Sequence, residues 1–429
     1  MAQGFAASTS SDIPAENERI NEEATEWLDS VDISLLTCGP GQEVWSYYGH
    51  TALRIQDKTH NSDVAVNWGM FSFRQSFFIL RFVFGLTDYQ IGIYPMTDFL
   101  AEYAAEGRWV RQQRIRLSRE EKLNILRAIS ENDKPENRTY RYNFFYDNCT
   151  TRAREMVLSS IGYDKTNFSD INTQSTYRQE IHKLNQDHRW ARFGNDLLLG
   201  SLADRSLNKR EWEFLPDNLS KDFDTEGRKD FLEETPTGMQ ANTTNDFVTL
   251  IDSTSYLIAP QHEAKITEEG ITPLEVAVSI LLVIIVLSIL EIYTKKNLWW
   301  IDTILLTLTG LPGLILLAMI FSQHPTVQVN FQILILNPLN LLFVWKVSKQ
   351  MRKGKLPIYY EAWGLMLIVG IFLQIWQSYA EGMGILALSL LVRYAVKSTL
   401  LDLGNSKFGL QAFVIKKIYR ANKKRLNTK

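Results

Sequence analysis

The chain has 429 residues, with 46 Lys and Arg against 48 Asp and Glu and a net charge of −2. Nothing in that balance marks a nucleic-acid binder, and the length suffices for two domains. Only two cysteines occur, Cys38 and Cys149, which excludes a disulfide framework. A single Cys38–Cys149 bridge is open to an oxidising compartment, but it would occupy both thiols.

Residues 1–30 read as a flexible lead into an acidic helix. The first twenty hold no apolar core of signal-peptide length. The topology derived below requires export of the N-terminal half, so a leader is expected to have been removed or replaced. Residues 31–205 carry the pattern of a mixed α+β domain. The run 32–37 (DISLLT) predicts a short buried strand, and 38–42 (CGPGQ) a turn. Strand character resumes over 44–55, through His50, and again over 64–68, ending at Gly69.

Ser118 with Glu121 three residues on predicts a capping box opening a helix to about residue 130. Residues 138–145 are strand-like, with Tyr140, Tyr142 and Phe144 alternating. A helix over 149–161 should close at Gly162, and another should cover 174–186. Residues 206–271 are polar and read as an irregular connector.

Beyond it lies a transmembrane region, 272–400. Apolar segments fall at 273–293, 299–321, 329–346, 358–377 and 382–397. Each approaches the roughly 17–25 residues needed to cross the hydrocarbon core, although Arg393 interrupts the last. Loops 322–328 and 378–382 hold no Lys or Arg, whereas the opposite loops hold Lys295, Lys296, Lys349, Arg352, Lys353 and Lys355. Positive loops stay cytoplasmic, which puts the N-terminal half outside and the C-terminus inside. The basic tail, 401–429, either lies along the inner leaflet over 408–426 or is simply solvated.

The chemistry centres on His50, in Tyr48-Gly49-His50-Thr51, and Cys149, in Asp147-Asn148-Cys149-Thr150. A thiol is a poor nucleophile until a helix N-terminus or a histidine stabilises its thiolate. Cys149 sits where a helix starts, with Asp147 or Asn148 as cap, and free N–H groups there can hold an oxyanion. His50 is the candidate general base and acid. Asn67 is its candidate orienting partner, with Asp63, Tyr47 and Tyr48 behind it. The bland alternatives are a buried inert cysteine and a structural histidine. Cys38 is a second thiol near the site or simply core. No second Cys or His stands at ligand spacing from either cysteine, which disfavours zinc. His60, His182 and His188 read as surface residues.

Residues 71–94 are strongly aromatic yet too interrupted to span. They form either hydrophobic core or, alternatively, an acyl-chain groove or a surface dipping into the outer leaflet. In the second case Phe77, Phe78 and Phe82 would meet lipid, and Arg74 or Arg81 its phosphate.

Four segments together resemble a known family: Leu36-Thr37-Cys38-Gly39-Pro40-Gly41, Tyr48-Gly49-His50-Thr51-Ala52-Leu53-Arg54, Asn67-Trp68-Gly69-Met70-Phe71-Ser72-Phe73 and Asn148-Cys149-Thr150-Thr151-Arg152. They are similar to the N-terminal periplasmic domain of the Lnb lipoprotein N-acyltransferases of Bacteroides-type bacteria. The likeness spans about residues 30–205, including 190–204. One departure is Met70, which stands where the family's Tyr-Gly-Thr-Phe-like segment carries a hydroxyl. More distantly the domain resembles permuted NlpC/P60-type papain-like folds, in which the histidine strand precedes the cysteine helix.

The resemblance implies an α+β, permuted papain-like extracytoplasmic domain followed by an all-α transmembrane bundle of five helices in a bacterial inner membrane. It implies that Cys149 takes an acyl group from a phospholipid as a thioester. The amine of a diacylglyceryl-cysteine lipoprotein then accepts that group. His50 relays the protons in both halves. From the residues themselves, Asn67 is expected to orient it, with Tyr48, Asn148 and Tyr47 as oxyanion or supporting residues, and no cofactor or metal is expected. Two alternatives use the same features: a membrane-tethered cysteine hydrolase acting on peptidoglycan or phospholipid, and a non-enzymatic envelope scaffold or lipid-binding protein.

Overall fold

The computed structural model describes residues 26–71, 77–163, 166, 172–228, 233–235, 238–240, 248–261 and 270–405. The chain divides into two compact units. The first comprises Met1–Phe78, Thr87–Ser175 and Ser206–Ala264; the second comprises Ile79–Leu86, Thr176–Arg205 and Lys265–Lys429. The expected lead, residues 1–30, is described only from Glu26, as a short 3-10 turn, Glu26–Ser30. Most of the expected tail, with its candidate leaflet-surface segment, and Arg74 lie outside the described residues.

The first unit is built on one antiparallel sheet. Its strands are β1 (Val31–Cys38), β2 (His50–Asp57), β3 (Ser62–Met70), β4 (Asp88–Pro95), β5 (Val110–Ile115), β6 (Thr139–Arg141) and β7 (Ile251–Ile258), in the spatial order β7-β5-β1-β2-β3-β4-β6. Alternate residues point to opposite faces of a strand, and the two faces bury different layers. Leu35, Leu53, Val66 and Trp68 face a core completed by helices α2 (Arg119–Asn132) and α3 (Cys149–Ile161) and by the helix Pro216–Thr225. Leu36, Cys38, Ala52 and Ala65 face α1 (Met96–Ala105) through Phe99 and Tyr103. Helix α2 opens with the Ser118–Glu121 capping box, and α3 ends at Gly162 with φ +97°.

Several expectations need correction. Strand 44–55 begins only at His50, because residues 42–48 form a turn closed by Gly41 N–H to Ser46 O at 3.0 Å and Gly49 N–H to Ser46 O at 3.1 Å. Gly49, with φ +74°, leaves that turn, and a Cβ there would lie 2.8 Å from Cys38 O. Strand 138–145 shrinks to β6, since Asn143 and Asp147 exchange backbone hydrogen bonds across a tight turn. Helix 174–186 is Tyr177–Leu184, capped by Thr176.

Among the described residues of 206–271, the expected irregular connector carries helix and strand. It supplies the helix Pro216–Thr225, whose Leu219 and Phe223 are fully buried, and strand β7 beside β5. Residues 176–205, in turn, belong with the membrane helices rather than with the sheet.

The second unit contains five helices long and apolar enough to cross a membrane. The spans are Pro273–Thr294, Trp299–Ile320, Pro325–Arg352, Ile358–Ile375 and Met383–Asp402, built on helices α4 (Pro273–Thr294), α5 (Trp299–Ile320), α6 (Leu339–Arg352), α7 (Ile358–Phe372) and α8 (Met383–Asn405). A Thr272–Glu275 capping box and Pro273 in the first turn start α4. The third crossing, 325–352, is broken: short turns Pro325–Gln328 and Phe331–Leu334 precede α6, which Pro338 starts. Helix α4 packs on α8, α5 on α6 and α7 on α8. Leu282, Val286, Leu308 and Leu365 are exposed, as a lipid-facing surface requires.

Arg393 does not interrupt its span, because it is fully buried and paired. It binds Asp302 at 2.6 Å and Glu291 at 2.6 Å, while Lys397 binds Glu291 at 2.6 Å. The Tyr360 hydroxyl donates to Asp302 at 2.8 Å. Two cations and two anions cancel inside the bundle, which is how charge is tolerated there.

In the same unit, helices Tyr177–Leu184 and Arg189–Leu198 dock on the bundle. Buried Arg178 binds Asp196 at 2.7 Å and Asp204 at 2.8 Å, and Gln332 donates to Asp196 O at 2.9 Å. Phe193 and Leu197 pack against the bundle core.

Candidate active site

Sheet register explains how His50 and Asn67 meet. Ala52 on β2 stands opposite Asn67 on β3, and His50 lies two residues before Ala52, so all three point to one face. The His50 Nε2–H donates to Asn67 Oδ1 at 2.9 Å. The Asn67 amide in turn donates to the Tyr94 hydroxyl on β4. Tyr94 also reaches Met70 Sδ at 3.5 Å. Nothing in the sequence near Asn67 signals Tyr94, 27 residues away.

Thr51, the next residue on β2, points to the opposite face. Its hydroxyl is 3.0 Å from that of Thr150, which pins the first turn of α3 against the sheet. Asn148 caps that turn: its Oδ1 accepts from Thr151 N at 2.9 Å, and Thr151 Oγ1 accepts from Asn148 N at 2.8 Å. Its Nδ2 donates to Phe144 O at 2.7 Å and Phe214 O at 2.9 Å. Every polar atom of that side chain is engaged, so Asn148 supports the helix start and is not itself an oxyanion donor. The N–H groups of Cys149 and Thr150, in the first turn, have no intrahelical acceptor.

The His50 imidazole and the Cys149 thiol lie close enough that each shifts the titration of the other. With Nε2 given to Asn67, Nδ1 is the ring nitrogen left for the sulfur. Burial pushes the Cys149 thiol up. The charge and hydrogen bond of His50, the Thr51 backbone N–H and the Thr150 hydroxyl more than offset this and bring it down to about 7. Burial pulls His50 down, but the thiolate's charge, its hydrogen bond and the Asn67 hydrogen bond leave it raised above its ordinary value. The two shifts describe one ion pair.

Cys38 is the control. Burial pushes that thiol up to about 12, although Tyr103 and Arg108 oppose the shift. Both cysteines are free, and no bridge joins them. Of the two, only Cys149 is brought down toward the neutral range.

The pair opens into a cleft of about 640 Å³. Tyr48 and Phe71 line it, with Tyr89, Tyr142, Phe144 and Phe214. Gly69, at φ +92°, passes close to Cys149: a Cβ there would lie 3.8 Å from the cysteine Cβ. Tyr47 is buried and does not line the cleft. Asp63 stands elsewhere, bound to Arg54 at 2.6 Å, and does not reach His50. His60 pairs with Asp57, and His182 with Asp196.

The candidate lipid residues do not line this cleft either. Residues 78–83 form a short helix on which Phe82 and Leu80 are exposed, as is Phe77 before it. Arg81 lies on the same helix. The side chain of Phe78 lies outside the described residues.

The fold and site therefore define a membrane-spanning protein whose separate α+β domain carries a cysteine–histidine–asparagine constellation. Family models agree in both parts: residues 21–180 match the Lnb N-terminal periplasmic domain, and residues 265–402 match the Lnb transmembrane domain. The chain belongs to the Lnb family, a membrane family with a role in lipoprotein processing. No curated protein and no solved structure matches it.

Proposed function

We propose that this protein is an acyltransferase of the bacterial inner membrane. It moves a fatty acyl chain from a phospholipid to the N-terminal amine of a diacylglyceryl-cysteine lipoprotein. The observation that carries this reading is the coupling of Cys149, at the start of a capped helix, to His50, which is itself hydrogen-bonded to Asn67.

The Cys149 thiolate attacks the ester carbonyl of the phospholipid. The N–H groups of the first turn of α3 receive the oxyanion. Collapse expels the lysophospholipid oxygen, which takes the proton from the His50 imidazolium, and leaves a Cys149 thioester. The neutral α-amine of the acceptor then attacks the thioester carbonyl. The C–S bond breaks as the C–N bond forms, and His50 takes the amine proton, restoring the thiolate–imidazolium pair. Dividing one transfer between two bulky lipids into two steps suits covalent catalysis.

Five spans, with Lys and Arg concentrated on one set of loops, support a periplasmic catalytic domain and a cytoplasmic C-terminus. They also favour a lipid substrate, since a wall hydrolase needs one anchor. The exposed Phe77 and Phe82 and the neighbouring Arg81, with Phe78, are proposed to meet phospholipid. Cells carrying Cys149→Ala should accumulate diacylated lipoproteins while the protein still reaches the membrane. Mass spectrometry of lipoprotein N-termini decides: unchanged N-acylation in that variant overturns the reading.

A further inference from the structure

The two threonines that follow Cys149 have different partners. Thr151 closes the capping box with Asn148. Thr150 is fully buried and turns to the sheet, where its hydroxyl stands 3.0 Å from that of Thr51 and 3.9 Å from Cys149 Sγ. A gap in the sheet makes room for this contact. Among the described residues, pairing of β2 with β3 stops at Ala52 and Asn67, and the β3–β4 register shifts between Asn67 and Met70. His50 and Thr51, the first residues of β2, are left without a β3 neighbour, and the start of α3 packs beside them.

Counting protons gives the contact a direction. A hydroxyl carries one proton and two lone pairs, whereas a thiolate can only accept. Among the described residues, Thr150 and Cys149 are the only hydrogen-bond partners of these two hydroxyls besides Thr51 itself. With the sulfur charged, Thr150 gives its proton to Cys149 and accepts that of Thr51. With the sulfur acylated, Thr150 has no anion to serve.

Resting on the acyltransferase reading, we propose that the Thr150 hydroxyl, held by Thr51, receives the charge that returns to the Cys149 sulfur as the thioester breaks. In that step the acceptor nitrogen forms the C–N bond, the C–S bonding pair passes to sulfur, and the amine proton goes to His50. A hydrogen bond to an anion is stronger than one to a neutral group, so the bond from Thr150 tightens as the sulfur leaves. Lowering the basicity of a thiolate makes it leave faster and attack more slowly. Thr150 therefore serves the second half of the transfer more than the first. The Thr51 hydroxyl acts through Thr150 and is a positioning group.

Cys38, Tyr140 and Tyr142 also feel the Cys149 charge, but burial raises all three and keeps them protonated through the neutral range. The pH profile of Cys149 alkylation thus reports the sulfur together with His50.

The experiment uses the full chain in detergent micelles and compares Thr150→Ser, Thr150→Val and the double variant Thr51→Val/Thr150→Val with the unaltered protein. Thr150→Val alone strands the Thr51 hydroxyl in the interior. The double variant removes both partners at nearly constant shape, so its fold is expected to survive. Three quantities are read: the pH midpoint of Cys149 alkylation, the rate of acyl-enzyme formation from phosphatidylglycerol per ionised thiol, and the rate at which isolated acyl-enzyme passes its chain to a diacylglyceryl-cysteine peptide.

The double variant should raise the midpoint by about half to one pH unit, less than a short hydrogen bond to a charged group would give. Transfer to the peptide should slow about two- to tenfold, while acyl-enzyme formation per ionised thiol stays equal or rises. Thr150→Ser, which keeps the hydroxyl, should restore both the midpoint and the transfer. Unchanged transfer in the double variant overturns the proposal whatever the midpoint does. So does equal slowing of both halves, the mark of a displaced helix start rather than a lost donor. Failure of the unaltered protein to form any acyl-enzyme would instead overturn the acyltransferase reading itself.

Discussion

Asn67 holds Nε2 of His50 at 2.9 Å and thereby fixes which ring nitrogen is left for Cys149. The contact requires antiparallel register between β2 and β3, which places the two side chains as diagonal neighbours on one face. In the proposed mechanism Asn67 acts through the histidine, as a positioning residue.

Asn67→Ala should lower kcat by about 10-fold to 100-fold, the range expected when a reacting group is misplaced. The Asn67 hydrogen bond raises the His50 pKa, so its loss lowers that value and weakens the imidazolium's hold on the thiolate. The pH midpoint for alkylation of Cys149 should therefore move upward. Asn67→Asp, which keeps an acceptor, should retain more activity than the alanine variant.

The two thiols should separate by reactivity. Cys149, held at about 7, gains thiolate steeply as pH rises through that value, whereas Cys38, at about 12, stays protonated throughout the neutral range. Iodoacetamide labelling followed by peptide mass spectrometry should find Cys149 labelled with a midpoint near neutrality and Cys38 unlabelled. Adding His50→Ala should shift the Cys149 midpoint upward, since the histidine's charge and hydrogen bond are what oppose burial.

Asn148→Ala should destabilise the first unit by about 2 kcal/mol, combining a lost helix cap with two carbonyls left unsatisfied. Phe144 O and Phe214 O are those carbonyls. Thermal unfolding in detergent measures the loss. The same variant loosens the first turn of α3 and should slow Cys149 alkylation near neutral pH.

In the bundle, Asp302→Asn removes one partner of buried Arg393 and should cost on the order of 3–5 kcal/mol. The double variant Asp302→Leu/Arg393→Met removes opposite charges together and should unfold closer to the unaltered protein. A double variant as unstable as the single one would show that the ionic cluster does more than balance charge.

Much of the candidate site's local geometry was legible because its signals are local. Gly49 and Gly69 flank the strand residues, and Asn148-Cys149-Thr150-Thr151 spells a capped helix start. Asn67 follows from strand alternation. Tyr94, Thr51 and Thr150 were missed as partners because their contacts depend on register and on helix docking.

Strand β7 escaped for a related reason. Residues Asp252 to Tyr256 are exposed on both faces, so no alternation marks them, and only pairing with β5 makes them a strand. The break before α6 hides within an apolar run, where hydropathy cannot distinguish a turn from a helix. Arg393 looked like an interruption because its partners, Glu291 and Asp302, lie 102 and 91 residues away in sequence.

The central claim is tested most directly by the mass of the Cys149 peptide after the purified protein meets phospholipid without acceptor. The account predicts a fatty-acyl adduct on Cys149 that hydroxylamine removes and that Asn67→Ala slows. Release of lysophospholipid with no adduct on that sulfur, under conditions where the protein goes on to acylate a lipoprotein amine, would contradict it.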